Sequence, residues 1–119
     1  MADSIAIISS SAPYSSAKAQ DALELCMVHG TYGQQCALFI QGDGVFQLLS
    51  GQDATQTGRK AFHKTFAALP FYDVDDVFIC AESLTQRGIL LDSLVISPQV
   101  LNAQQWQNKL AQFDVILRF

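Results

Sequence analysis

A chain of 119 residues and 13.0 kDa has room for one core of ordinary domain size and no room for a second. Half of its residues are hydrophobic and only 15% are charged, which argues against disorder, and a domain this long buries enough surface to need no disulfide or metal staple. The net charge of −4 and pI near 4.8 argue against broad, sequence-independent nucleic-acid binding, because that attraction depends on Lys and Arg displacing phosphate counterions.

Residues 4–9 carry the β-branched run Ile5-Ala-Ile-Ile8 and break into Ser9-Ser-Ser-Ala-Pro13, the pattern of a strand running into a loop. Ala19, Ala22, Leu23, Cys26 and Met27 then recur at helical spacing, which predicts a helix over 16–29 with Ser15 or Ser16 as N-cap and Gly30 just past its end. Residues 36–41 are almost wholly apolar, as in a strand buried on both faces of a parallel sheet, and they stop at Gly42-Asp-Gly44. Residues 45–49 suit one helical turn, and the polar stretch 51–58 reads as a surface loop. Phe62, Phe66 and Leu69 mark a helical piece over 59–69 that Pro70 ends. A third strand is expected at 76–80, a short helix at 81–87 with Gly88 as its left-handed stop, and a fourth strand at 93–97. A helix follows over 102–112 with Ala103, Trp106 and Leu110 inward, and a fifth strand closes the chain at 113–119.

Strands alternating with helices predict an α/β fold: a three-layer α/β/α sandwich around a mainly parallel five-stranded sheet. Chemistry in such sheets gathers at the carboxyl ends of the strands, here at 9–14, 42–46 and 80–83. The amino-terminal stretch has no basic leader pattern and no segment approaches the ~20 apolar residues of a membrane span, so a soluble cytoplasmic protein is expected. The three cysteines, Cys26, Cys36 and Cys80, form no CxxC pair and are expected to be reduced thiols.

Cys80 stands where a strand gives way to a helix, so helix-start N–H groups could favour its thiolate, the form that attacks sulfur donors or holds a persulfide. Glu82 opposes this with nearby negative charge, and a cysteine that simply fills space behind the sheet is the competing reading. Cys26, His29 and Cys36 sketch a metal site without a fourth ligand, and core cysteine plus capping histidine is the better account. His29 and His63, with residues 9–11 and Asp43, suggest a catalytic triad, but no Gly-x-Ser-x-Gly elbow is present. Gly42-x-Gly44 has Gln47 where a dinucleotide fingerprint needs its third glycine, so the pair reads as a sharp turn with positive φ. Arg59, Lys60, His63 and Lys64 make a basic cluster that could steer an anionic partner or simply be solvated. Phe46, Phe71, Tyr72 and Phe119 could serve a subunit interface or the core.

Four blocks spread over nearly the full length, IAIISSSAPY (5–14), GDGVFQLL (42–49), CAESLTQRG (80–88) and FDVILRF (113–119), resemble the DsrE/DsrF/DsrH sulfur-relay family. The second and fourth blocks are similar to its DsrF-like subunits in particular. The resemblance implies one DsrE/DsrF-like domain over 1–119 that assembles with TusB-like and TusD-like subunits into a heterohexamer. Such a complex takes persulfide sulfur from a TusA-like donor and passes it, through a TusE-like acceptor, toward 2-thiolation of the tRNA wobble uridine. Cys80 occupies the place of the family's sulfur-carrying cysteine, which makes it a candidate persulfide carrier, although DsrF-like subunits are regarded as supporting partners. No cofactor, metal, membrane or direct nucleic-acid contact is implied. The alternatives are a sulfurtransferase in its own right through Cys80, or a small-molecule binding module at the strand-end crevice.

Overall fold

The computed structural model describes residues 4–10, 18–31, 35–48, 76–94 and 98–119. In chain order these form β1 (Ile5–Ser9), α1 (Lys18–Thr31), β2 (Cys36–Ile40), a 3-10 helix (Gly42–Leu48), β3 (Asp76–Cys80) and α2 (Ala81–Gln86). A 3-10 turn (Leu91–Ser93), β4 (Gln99–Leu101), α3 (Ala103–Leu110) and β5 (Val115–Arg118) follow. The five strands make one sheet in the order β4-β3-β2-β1-β5, and every neighbouring pair is parallel.

The alternation of side chains along each strand divides the core in two. Ile5, Ile7, Cys36, Leu38, Ile40 and Ile79 pack with Ala22, Leu23 and Cys26 of α1, whereas Ala6, Ile8, Ala37, Phe39, Phe78 and Leu101 pack with Trp106 and Leu110 of α3. With helices on both faces, the central strands β1 and β2 are buried at every residue, which is why they read as unbroken apolar runs. The expected α/β/α sandwich is therefore the observed one, with an all-parallel sheet.

Phe39 centres the α3-side core. Its ring lies 4.9 Å from Phe78 and meets Trp106 and Phe113 edge-on at 5.2 and 5.7 Å, the geometry that aromatic quadrupoles favour. Asn102 starts α3 with a capping box: its side chain accepts from the Gln105 amide at 2.8 Å, and Gln105 Oε1 accepts from the Asn102 amide at 2.9 Å.

Four expectations shift. The strand that pairs with β3 at the edge of the sheet is Gln99–Leu101, just before the cap of α3; of the expected strand at 93–97, Ser93 belongs to a 3-10 turn, and 95–97 lie outside the described residues. The helix α1 passes through Gly30 to Thr31 instead of stopping before it, since glycine also accepts helical φ. Ala103 is exposed, because the buried stripe of α3 consists of Trp106 and Leu110, one turn apart, and does not extend back to its first residue. Gly44 lies inside the 3-10 helix, so of the Gly42-x-Gly44 pair only Gly42 takes positive φ, at 55°. Gly88 ends α2 at φ 63°, as expected of a left-handed stop. The helical piece at 59–69 and the loop at 51–58 lie outside the described residues. Among the described residues, no helix is long and apolar enough to cross a membrane.

Candidate functional site

Because all strands run the same way, β1, β2 and β3 deliver their carboxyl ends to one rim, and the segments after them are bound to one another there. The Gln41 amide donates to the Ser9 carbonyl at 3.1 Å, and its side-chain amide donates to Ser10 Oγ at 3.1 Å. Positive φ at Gly42 then turns the chain so that its N–H reaches across to α2 and donates to Ser83 Oγ at 2.9 Å. Arg87, one turn beyond Ser83, places Nε and Nη2 at 3.1 and 3.0 Å from Asp43 Oδ1, while Nη1 donates to the Ser83 carbonyl at 3.3 Å. Two of the three expected segments, 42–46 and 80–83, are thus joined directly, together with Ser9 and Ser10. The remainder of the first, 11–14, lies outside the described residues.

Cys80 is the last residue of β3 and the residue before α2, with extended backbone (φ −75°, ψ 119°). Side chains that open helices usually accept from the first-turn amides, and the Cys80 side chain makes no such bond. Its thiol is free and half-buried at the margin of the α3-side core, and Cys80 pairs with Leu101 at the carboxyl end of the sheet, so the sulfur stands at the rim and not in mid-sheet. Glu82 is exposed in the first turn, and its carboxylate accepts from Gln86 Nε2 at 3.1 Å. On the opposite face, an open hollow of about 430 Å³ between α2 and the β4 edge is lined by Leu84, Ile89, Leu90, Leu91 and Val100, with Thr85 and Asp92 as its polar members.

Cys26 and Cys36 lie away from this rim, in the α1-side core: both are buried, and their sulfurs are hydrogen-bonded to each other at 3.1 Å. The hydrogen bond with Cys36 and burial push the Cys26 thiol well above its ordinary range. Cys26 is a core cysteine, as the apolar stripe implied. Among the described residues, no group of three or more His, Cys, Asp or Glu side chains gathers as metal ligands. Of the suggested triad members, Ser9 is buried and Asp43 is held by Arg87, while Ser11 and His63 lie outside the described residues. The basic cluster at 59–64 and Phe71 and Tyr72 lie outside them too. Phe119 packs against the α1-side core and extends the β1 pairing, its N–H donating to the Ile8 carbonyl at 2.8 Å; Phe46 is half-buried.

The model of the DsrE/DsrF-like family matches residues 3–119. The chain belongs to the DsrE/DsrF-like family. Within it, the chain is 35% identical over 109 residues to a TusC homolog of Vibrio parahaemolyticus, covering 92% of each protein. It is 31% identical over 117 residues to a TusC homolog of Pseudomonas aeruginosa, covering 98% of each. TusC of Escherichia coli is 35% identical over 116 residues, or 97% of this chain and 98% of that protein. The crystal structure of the ychN protein from E. coli superimposes with a TM-score of 0.84 over 98% of this chain and 99% of that one; at 22% identity, it shows the shared fold.

Two relationships at this family member's site escape a reading by segments. Gly42 with Ser83 and Asp43 with Arg87 are 41 and 44 residues apart, and such pairings leave no periodic trace. The Cys26–Cys36 contact left a signal: one sulfur on the inward stripe of a helix, the other on the strand that helix covers.

Proposed function

We propose that the chain is a cytoplasmic, structural or accessory subunit of a TusBCD-like sulfur-relay complex. In this reading one domain over 1–119 assembles with TusB-like and TusD-like subunits. The complex passes persulfide sulfur from a TusA-like donor, through a TusE-like acceptor, toward 2-thiolation of the tRNA wobble uridine. The observation that carries this reading is the near-full-length match to TusC relatives at 31 to 35% identity.

A second reading is favoured by one observation, the free, half-buried thiol of Cys80 at the strand-end rim. A persulfide carrier needs a sulfur within reach of a donor, and a thiol at a loop junction meets that need better than one in mid-sheet. Complementation separates the two. A strain lacking the gene should lose wobble 2-thiouridine, and the intact chain should restore it. Restoration by Cys80→Ser at equal protein level marks an accessory subunit, and failure of Cys80→Ser alone marks a carrier. Full 2-thiouridine in the deletion strain would defeat both.

A further inference from the structure

We propose that Cys26 and Cys36 form an oxidisable dithiol, which a small peroxide converts into a disulfide that staples α1 to β2. The sulfurs are 3.1 Å apart, so a bond of about 2.05 Å requires an approach of about 1 Å. Cys26 faces the sheet from the second half of α1, and Cys36 is the first residue of β2, so the bridge would join two layers already packed together. The relative exposures of 0% and 5% exclude bulky oxidants and leave Cys36, at the amino-terminal margin of the sheet, as the point of entry.

Cys80 cannot substitute for either partner. It lies at the carboxyl end of β3, whereas Cys36 begins the parallel neighbour β2, and it belongs to the α3-side core, whereas the pair belongs to the α1-side core. The pair also has a division of labour. The hydrogen bond with Cys26 lowers the Cys36 thiol against the opposing effect of burial, while Cys26 keeps its proton.

The chemistry balances with hydrogen peroxide as oxidant. The Cys36 thiolate attacks one peroxide oxygen and breaks the O–O bond, giving the Cys36 sulfenic acid and a hydroxide that takes up the Cys36 proton as water. Cys26 sulfur then attacks the sulfenic sulfur, the S–S bond forms, and the departing hydroxide leaves as a second water with the Cys26 proton. Two thiols and one peroxide become one disulfide and two waters, with two electrons passing from the sulfurs to the peroxide oxygens. The inference is independent of any sulfur-carrying role of Cys80.

The test treats the full, reduced chain with hydrogen peroxide, quenches it, alkylates it under denaturing conditions and maps the peptides by mass spectrometry. The expected result is a linked peptide pair containing Cys26 and Cys36, lighter by two hydrogens and separated by reductant. The proposal is overturned if both cysteines remain alkylatable at a dose that consumes Cys80, or if either is oxidised singly or bridged to Cys80.

Discussion

The Gly42 amide donates a 2.9 Å hydrogen bond to Ser83 Oγ, and this contact, beside the Asp43–Arg87 pair, couples the turn after β2 to the helix that follows Cys80. Ser83 is buried, so its replacement leaves an amide without its acceptor where water has little access. Ser83→Ala should lower stability by about 1 kcal/mol, read as a lower urea midpoint at unchanged slope. The neighbouring ion pair should matter less, because Asp43 is 60% exposed. Asp43→Asn is expected to cost under about 1 kcal/mol, and less again in high salt. A larger loss for Asp43→Asn than for Ser83→Ala would reverse this ranking.

Gly42 and Gly88 test backbone strain apart from crowding. A Cβ at Gly42 would meet its nearest neighbours, the Ser10 carbonyl oxygen and Arg87 Nη2, at 3.7 and 3.9 Å, and one at Gly88 would meet nothing within 4 Å. Both therefore have space but the wrong φ for alanine, at 55° and 63°. Gly42→Ala and Gly88→Ala should each cost about 1–2 kcal/mol in urea unfolding. A much greater loss at Gly42 alone would show that the turn tolerates no added atom.

Truncation of Trp106 should be more damaging than any of these changes at the rim. It fills the α3-side core against Phe39, and Trp106→Ala is expected to cost about 3–5 kcal/mol, a large part of the ~5–15 kcal/mol that holds a domain. Lys109→Ala, which removes the cation placed 5.5 Å from the Phe78 ring centroid, should cost only about 0.5–1 kcal/mol. Similar unfolding midpoints for the two variants would contradict the placement of the core.

The cysteines should differ in both reactivity and linkage to pH. Under native conditions iodoacetamide should label Cys80 first, with Cys26 and Cys36 reacting only on unfolding. The Cys26 thiol is raised in the folded chain, so the unfolded chain gives up that proton more readily. The associated stability is present below about pH 9, the ordinary thiol value, and is lost as pH rises beyond it. The lowered Cys36 thiol contributes in the opposite sense, with stability that grows as pH rises toward about pH 9 and little further change beyond it. Above about pH 9 the Cys26 loss therefore dominates, and between about pH 9 and about pH 10.5 the urea midpoint of the intact chain should fall more than that of the Cys26→Ala/Cys36→Ala variant. Equal slopes would show that the pair ionises alike in both states.

Much of this architecture is legible in the residues because burial on both faces of β1 and β2 forces unbroken apolar runs, and the stripe on α1 betrays its sheet-facing side. The position of Cys80 follows from the same logic, since an apolar run ending before a helix puts that residue at the rim. The fourth strand misleads for a physical reason. Residues 93–97 look more like a strand than Gln99-Val-Leu101, yet an edge strand of three residues with only Leu101 buried carries almost no pattern. The rim network is equally silent, because Ser83, Asp43 and Arg87 are ordinary polar residues until the parallel register brings their loops together.

Membership of a hetero-oligomer is the central claim, and co-expression with the TusB-like and TusD-like chains of the same organism tests it most directly. Size-exclusion chromatography should recover all three in one peak at constant proportion, far above the 13.0 kDa of this chain alone. Elution of this chain by itself, while the other two assemble without it, would contradict that membership.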